Sequence, residues 1–348
     1  MEILKNPYRK RFEPLPGLLG IPYPSVDVAA PKTLIARCSA AAETPLVAAP
    51  ALAAQCDVGE VWVKDERDRM GLGSFKALGA AYVIAHEAQG CDVSKTTYVT
   101  ASAGNHGMSV AAGARAFGAK AVIFIAETVP EAFAERLRDR GATVMRQGAT
   151  YEDSMAAAAR AAEEYGWRLL SDSSWPGYVD VPHRLMEGYL VLMAEVFRQM
   201  PDPASHIFVQ AGVGGLAGAV AAIARQEWGD IPVIAVVEPD AAPALKGSIA
   251  AGRPVESPGP VSAMGRLDCK EPSLIALNGL ARDADIFVTI TEAEGHEGAE
   301  MASEIGLPST PSGAAGLSGF LACGPHRDTM RLGAGSRVLL ILSEGPEA

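Results

Sequence analysis

The stretch His206-Ile-Phe-Val-Gln-Ala-Gly-Val-Gly-Gly-Leu-Ala-Gly218 runs from a short, mostly apolar segment through closely spaced glycines into alanine-rich sequence that continues to Trp228. Its first five residues read as a buried strand and residues 214–228 as a helix. Residues 233–237 then follow as another strand. The same alternation extends in both directions. Strand-like segments at 60–64, 97–100, 121–126, 143–146, 167–170, 286–290 and 337–342 are interleaved with helix-like segments at 75–87, 105–117, 130–140, 151–165 and 183–200. This β-α order with short apolar strands predicts an α/β protein of mostly parallel sheets flanked by helices. Residues before about 40 show no clear period and are expected to wrap the surface or a partner.

The chain has 348 residues, enough for about two domains with sizeable cores at roughly 150 residues each. Hydrophobic residues make up 49% but aromatics only 6%, so the core must be mainly aliphatic and alanine. Thirty Lys and Arg against 41 Asp and Glu leave a net charge of −11. That balance lacks the basic field that nucleic acid or an anionic membrane would require. The five cysteines, Cys38, Cys56, Cys91, Cys269 and Cys323, are widely spaced without a C-x-x-C pair. Their spacing argues against a disulfide framework or a structural zinc and suits a reducing compartment. The first ten residues lack an apolar h-region, and the uncharged stretch 211–224 falls short of about 18 apolar residues. A soluble, cytoplasmic protein is expected.

Three strand-to-helix junctions carry candidate chemistry. In Gly212-Val-Gly-Gly-Leu216, backbone N–H groups and a helix N-terminus offer a natural anion site, most often for phosphate. The same loop also fits G-x-G-x-x-A, and Glu238 ends the next strand, so a dinucleotide remains open, as does a simple tight turn. In Gly71-Leu-Gly-Ser-Phe-Lys76, a lysine stands at the start of a helix, where the helix end lowers an amine's pKa and favours a neutral nucleophile. Alone, such a lysine is more often a solvated surface charge. In Thr100-Ala-Ser-Ala-Gly-Asn105-His-Gly107, small residues can offer consecutive amides to a carboxylate, and Asn105 can donate to an oxyanion. His106 alone reads as a packing residue more readily than as a base.

The order of Ser74-Phe-Lys76, Ser102-Ala-Gly-Asn-His106 and Gly212-Val-Gly-Gly-Leu216 resembles the fold-type-II pyridoxal-phosphate enzymes of the threonine dehydratase and tryptophan synthase β class. Further stretches sharpen the resemblance to the diaminopropionate ammonia-lyase family. They are Lys64-Asp-Glu66, Tyr151-Glu-Asp153, Asp172-Ser-Ser-Trp-Pro-Gly-Tyr178, Gln210-Ala-Gly-Val-Gly214 and residues 264–272 with Cys269. The resemblance implies that pyridoxal 5'-phosphate is held by Lys76 beside Phe75, with its phosphate on Gly212, Val213, Gly214, Gly215 and Leu216. It implies that Asn105 contacts the ring's phenolic oxygen and that Ser343 faces the pyridine nitrogen. Ala101, Ser102, Ala103, Gly104 and Asn105 would take the substrate carboxylate. Lys76 or Asp172 would take the Cα proton.

One position departs from the family. An aspartate there precedes Gly-Asn-His and is paired with the counterpart of Asp172, the two serving opposite faces of Cα; here the first is Ala103. Activity on one enantiomer, the L form, is therefore expected. The implied reaction is α,β-elimination from a β-substituted 2-amino acid such as 2,3-diaminopropionate, giving a 2-oxo acid and ammonia. A dehydratase acting on serine, threonine or hydroxyaspartate is the alternative. A nicotinamide-dependent oxidoreductase using the Gly212 loop and Glu238 is a remote one. The resemblance further implies a homodimer of two-domain subunits. Residues 1–88 and 188–348 would form a large cofactor-binding domain, and 89–187 a small mobile domain that closes over substrate.

Overall fold

The computed structural model describes residues 1–346. Its strands are β1 (Glu2–Lys5), β2 (Leu46–Ala48), β3 (Glu60–Asp65), β4 (Thr97–Ala101), β5 (Lys120–Ile125), β6 (Thr143–Arg146), β7 (Arg168–Leu169), β8 (His206–Gln210), β9 (Val233–Pro239), β10 (Ile286–Ile290) and β11 (Arg337–Leu342). Seven form one sheet in the order β1-β10-β9-β8-β11-β3-β2, and four form a second in the order β6-β5-β4-β7. All pairs are parallel except the two edges of the larger sheet, where β1 runs against β10 and β2 against β3. The central strands β8, β9 and β10 are buried along their whole length, as parallel strands covered on both faces must be. Both ends of the chain contribute to the seven-stranded sheet, and the four-stranded sheet is made from the segment between β3 and β8.

The N-terminal segment is more ordered than its lack of period suggests. It supplies the edge strand β1, a helix at Ala29–Ile35, and the buried side chains Leu15 and Leu18. Asn6 explains how it is held: its Nδ2 donates to the carbonyls of Leu280, Ala281 and Ala284, at the end of the Leu274–Asp283 helix. The Leu280 carbonyl also accepts the Ala284 N–H, and the other two belong to the end of the helix, where carbonyls lack intrahelical partners. Wrapping thus occurs against the chain's own sheet.

Two helices position the chemistry. The Lys76–Glu87 helix and the Asp180–Gln199 helix approach so closely that a Cβ on Gly188 would stand 2.5 Å from the Leu78 carbonyl oxygen. Only glycine fits there. Ahead of Lys76, a buried ionic cluster anchors the chain: Lys64 pairs with Glu195 at 2.6 Å, and Arg69 with Glu66 at 2.6 Å and with Glu195 at 2.7 Å. Thr44 completes it by donating to Glu66. Charges this buried are tolerated only when each has its partners, and these fix the turn from which the lysine helix starts. Among the described residues, no helix is long and apolar enough to cross a membrane.

Candidate active site

Lys76 is the first residue of its helix, with Phe75 as its cap. The backbone of residues 73–75 pairs with the chain end: the Phe75 N–H donates to the Ser343 carbonyl at 3.1 Å, and the Gly345 N–H to the Gly73 carbonyl at 3.0 Å. The lysine root and Ser343 are therefore neighbours by construction. The amine itself reaches Asp172 Oδ2 at 2.5 Å. It lies 5.2 Å from the centre of the Phe75 ring and 5.9 Å from that of Tyr189.

Burial would push the Lys76 amine down, but the Asp172 charge outweighs it and holds the amine above its ordinary range. This corrects the expectation that the helix end leaves the amine neutral. The carboxylate beside it decides its protonation. Asp172 shifts in the opposite sense: burial would raise it, but Lys76 and, less strongly, His106 hold it below the usual carboxylate range. Asp172 is kept in place by the tight turn that follows. There the Trp175 and Tyr178 rings stack at 4.4 Å, and the Tyr178 hydroxyl bridges the Leu169 carbonyl and the Ser171 N–H.

The Gly212 loop lies against this pair. Gly214 takes φ +99° and caps the Gly215–Trp228 helix without a side-chain hydrogen bond, so first-turn N–H groups are available to an anion. A Cβ on Gly212 would meet Cys269 Sγ at 3.0 Å and the Arg266 carbonyl oxygen at 3.1 Å. One on Gly215 would stand 3.9 Å from the Asp172 carbonyl oxygen. The Val213 carbonyl accepts from the Ser273 N–H and Leu216 is buried, which ties down both flanks of the loop. Burial, helped by Asp172, pushes the Cys269 thiol up to about 12, so it remains a thiol at neutral pH.

On the other side stands the loop after β4. Ala101 is buried, while Ser102, Ala103, Gly104 and Asn105 are half-buried. The Gly104 N–H is bonded to Ser102 Oγ, and a Cβ on Gly107 would strike the Ser102 carbonyl oxygen at 2.2 Å. Gly104 also caps its helix without a side-chain bond, which gives a second open N-terminus. Asn105 donates its amide to Glu344, which also accepts from Thr310. His106 is buried with Nε2 on the Leu170 carbonyl at 2.8 Å, and burial lowers its pKa.

Ser343 has its oxygen fixed from behind. Gln210 Nε2 donates to Ser343 Oγ at 2.9 Å while also donating to the Gly313 and Ile341 carbonyls. Glu238 corrects the dinucleotide alternative. It is fully buried, and its two oxygens accept the Leu245 and Lys246 N–H groups at 2.7 and 2.8 Å, so it secures a helix and faces no ribose.

Three groups at the site went unread in the sequence. Tyr189 packs on Phe75 edge-to-face at 4.9 Å. Glu344 gathers Asn105 and Thr310. Arg266 lies over Gly104, whose Cβ would be 3.2 Å from its Nε, and over the Phe133 ring at 5.7 Å. Tyr189 left a trace in the Gly188-Tyr189 pair that opens an apolar run, and Arg266 falls within the 264–272 stretch without a role read for it.

These residues fit pyridoxal phosphate: a primary amine at a helix head, a glycine cradle that a Cβ would fill, and a fixed hydroxyl beside the amine's root. Comparison with known proteins agrees. The family model described as "Pyridoxal-phosphate dependent enzyme" matches residues 39–344. Diaminopropionate ammonia-lyase of Salmonella typhimurium is 30% identical over 345 residues, covering 87% of this chain and 85% of that protein. A biosynthetic L-threonine dehydratase of Burkholderia multivorans is 35% identical, but over only 56% of this chain and 37% of the relative. Among solved structures, Escherichia coli diaminopropionate ammonia-lyase in complex with an aminoacrylate–PLP azomethine reaction intermediate has a TM-score of 0.89. It is 28% identical and covers 99% of this chain and 93% of that one. The chain belongs to the fold-type-II pyridoxal-phosphate-dependent enzymes, in the diaminopropionate ammonia-lyase family.

Proposed function

We propose that the protein eliminates ammonia from L-2,3-diaminopropionate, releasing a 2-oxo acid and ammonia. The observation that carries this is the Lys76–Asp172 pair at the edge of the Gly212 cradle, in a chain similar to a diaminopropionate ammonia-lyase along most of both lengths. Bound pyridoxal phosphate supplies the electron sink that makes the Cα–H of an amino acid acidic. In this chain, Lys76 would hold it, with Phe75 alongside and the amides of Gly212 to Leu216 on its phosphate. Ser343 would present its hydroxyl to the ring nitrogen, and Asn105 would reach the ring's oxygen after leaving Glu344. The loop from Ala101 to Asn105 would take the substrate carboxylate on its amides.

Asp172 and the Lys76 amine hold and pass the proton. Asp172 stays ionised because of the amine beside it, so it can accept a proton on its own face of the substrate. Ala103, where the family resemblance puts the carboxylate for the opposite face, offers none, which supports selectivity for one enantiomer. Ala103 also favours a second reading, a dehydratase for β-hydroxy amino acids on the same scaffold, since the charge around the leaving group has changed.

The segment 89–187 would act as the small domain, moving the Ala101–Asn105 loop over the substrate. The Asp180–Gln199 helix spans its far boundary. A homodimer is part of the proposal, supported by Phe12 and Leu19, which leave 79% and 88% of their surface exposed on the N-terminal segment. A reducing, cytoplasmic setting suits the free cysteines.

The test has two arms. Borohydride treatment of the coloured protein should fix the cofactor on the peptide holding Lys76. A panel of β-substituted amino acids should show release of 2-oxo acid and ammonia, with 2,3-diaminopropionate the best substrate. A label on another lysine would refute the assignment of Lys76. Greater turnover of serine, threonine or hydroxyaspartate would favour the dehydratase.

A further inference from the structure

The Asp180–Gln199 helix carries one polar group that packing leaves unused. Tyr189 is 1% exposed, and its hydroxyl meets no partner at full hydrogen-bonding geometry among the described residues, the Lys76 amine being the side chain that bears on it. An unpaired buried hydroxyl is destabilising, and phenylalanine would fill the same space without that penalty. The backbone on both sides makes room for this ring. A Cβ on Gly79 would be 2.8 Å from its Cε1, and one on Gly215 would be 3.6 Å from its Cε2. These two carbons flank the one that bears the hydroxyl. The phenol therefore lies between the first turn of the lysine helix and the first residue of the Gly215–Trp228 helix, with Lys76 Nζ 5.9 Å from the ring centre.

We infer that Tyr189 is a positioning residue for the Lys76 amine: its hydroxyl donates to the neutral amine when Asp172 releases it, favouring the form that can receive and pass on a proton. This rests on the assignment of Lys76 above. Asp172 is the acceptor for the charged amine, so the two partners serve opposite protonation states. The other titratable groups facing this space are the Cys269 thiol, His106 and Tyr151, which lie on three other segments. Burial and Asp172 keep the Tyr189 hydroxyl protonated well above neutrality despite the lysine, so it stays a donor over the working range.

Tyr189→Phe tests this in the holoprotein, because it removes the hydroxyl and keeps the ring. The acidic limb of the kcat profile is expected to move up by about half to one pH unit, with kcat near neutrality falling about threefold to tenfold and KM unchanged. The pH midpoint of the holoprotein's visible band, which follows the Lys76 nitrogen while it holds the cofactor, should also rise. The melting temperature should stay the same or increase. Unmoved pH midpoints would overturn the inference. They would assign Tyr189 to packing if the melting temperature falls, and to the phosphate if only cofactor affinity falls. If the wild type releases no 2-oxo acid from any amino acid, the lyase reading itself fails, and the band midpoint still decides on Tyr189.

Discussion

Lys76 and Asp172 are 96 residues apart in sequence, and the fold brings them to 2.5 Å. Either residue alone has an ordinary explanation, a surface charge or a loop cap; together they form a buried ion pair, the one proposed above to move the proton. Asp172→Asn keeps the shape and removes the carboxylate proposed to accept the proton. It is expected to lower kcat on the L substrate by about 10²- to 10⁴-fold, with the visible band retained. The same pair makes the stability of the cofactor-free protein pH-dependent. Asp172 is depressed, so its contribution is complete above the unfolded carboxylate value of about 4 and is lost as pH falls through the folded value. Lys76 is raised, so its contribution is complete below about 10.4 and is lost as pH rises through its folded value. Denaturant melts should show the stability difference between wild type and Asp172→Asn at pH 7 shrinking in strong acid. A difference independent of pH would contradict the ion pair.

At the scale of elements, the strand–glycine–helix junctions were legible because local sequence decides them. Apolar runs are bounded by glycines, and the loops at Lys76, Asn105 and Gly212 appear where expected. The edge strands β1 and β2 were not legible. They are three or four residues long, pair antiparallel, and owe their existence to distant partners such as β10 and the Leu274–Asp283 helix. Glu238 shows the same limit in the site. Its position suited a ribose ligand, and only the fold reveals that two backbone amides already occupy it. The helix crossing at Gly79 and Gly188 is where an element can be tested. Gly188→Ala would place a methyl 2.5 Å from the Leu78 carbonyl oxygen, a backbone atom that cannot step aside. Overpacking of this kind costs about 1–3 kcal/mol, and thermal melts should register it. Because Leu78 lies only two residues from Lys76 on the same helix, activity should fall as well. An unchanged melt and unchanged turnover would show that the helices separate freely.

For the whole molecule, the α/β architecture follows from the sequence order, while the joining of residues 73–75 to 343–345 does not. That pairing closes the larger sheet's end around the lysine and brings Ser343 and Glu344 into the site. Net charge says nothing about this chemistry, because anions would be met by local amides at two helix starts within an acidic chain. The exposed Phe12 and Leu19 lead to the expectation of a dimer, about twice 36.2 kDa in light scattering. A mass of one chain at all concentrations would contradict it. A lyase selective for one face of Cα, as proposed, must distinguish L- from D-2,3-diaminopropionate when the holoprotein is given each in turn. Release of 2-oxo acid and ammonia from the L enantiomer, with the D enantiomer at least about 100-fold slower, is the predicted result for a single positioned base. Comparable turnover of both enantiomers, or of neither, would contradict it.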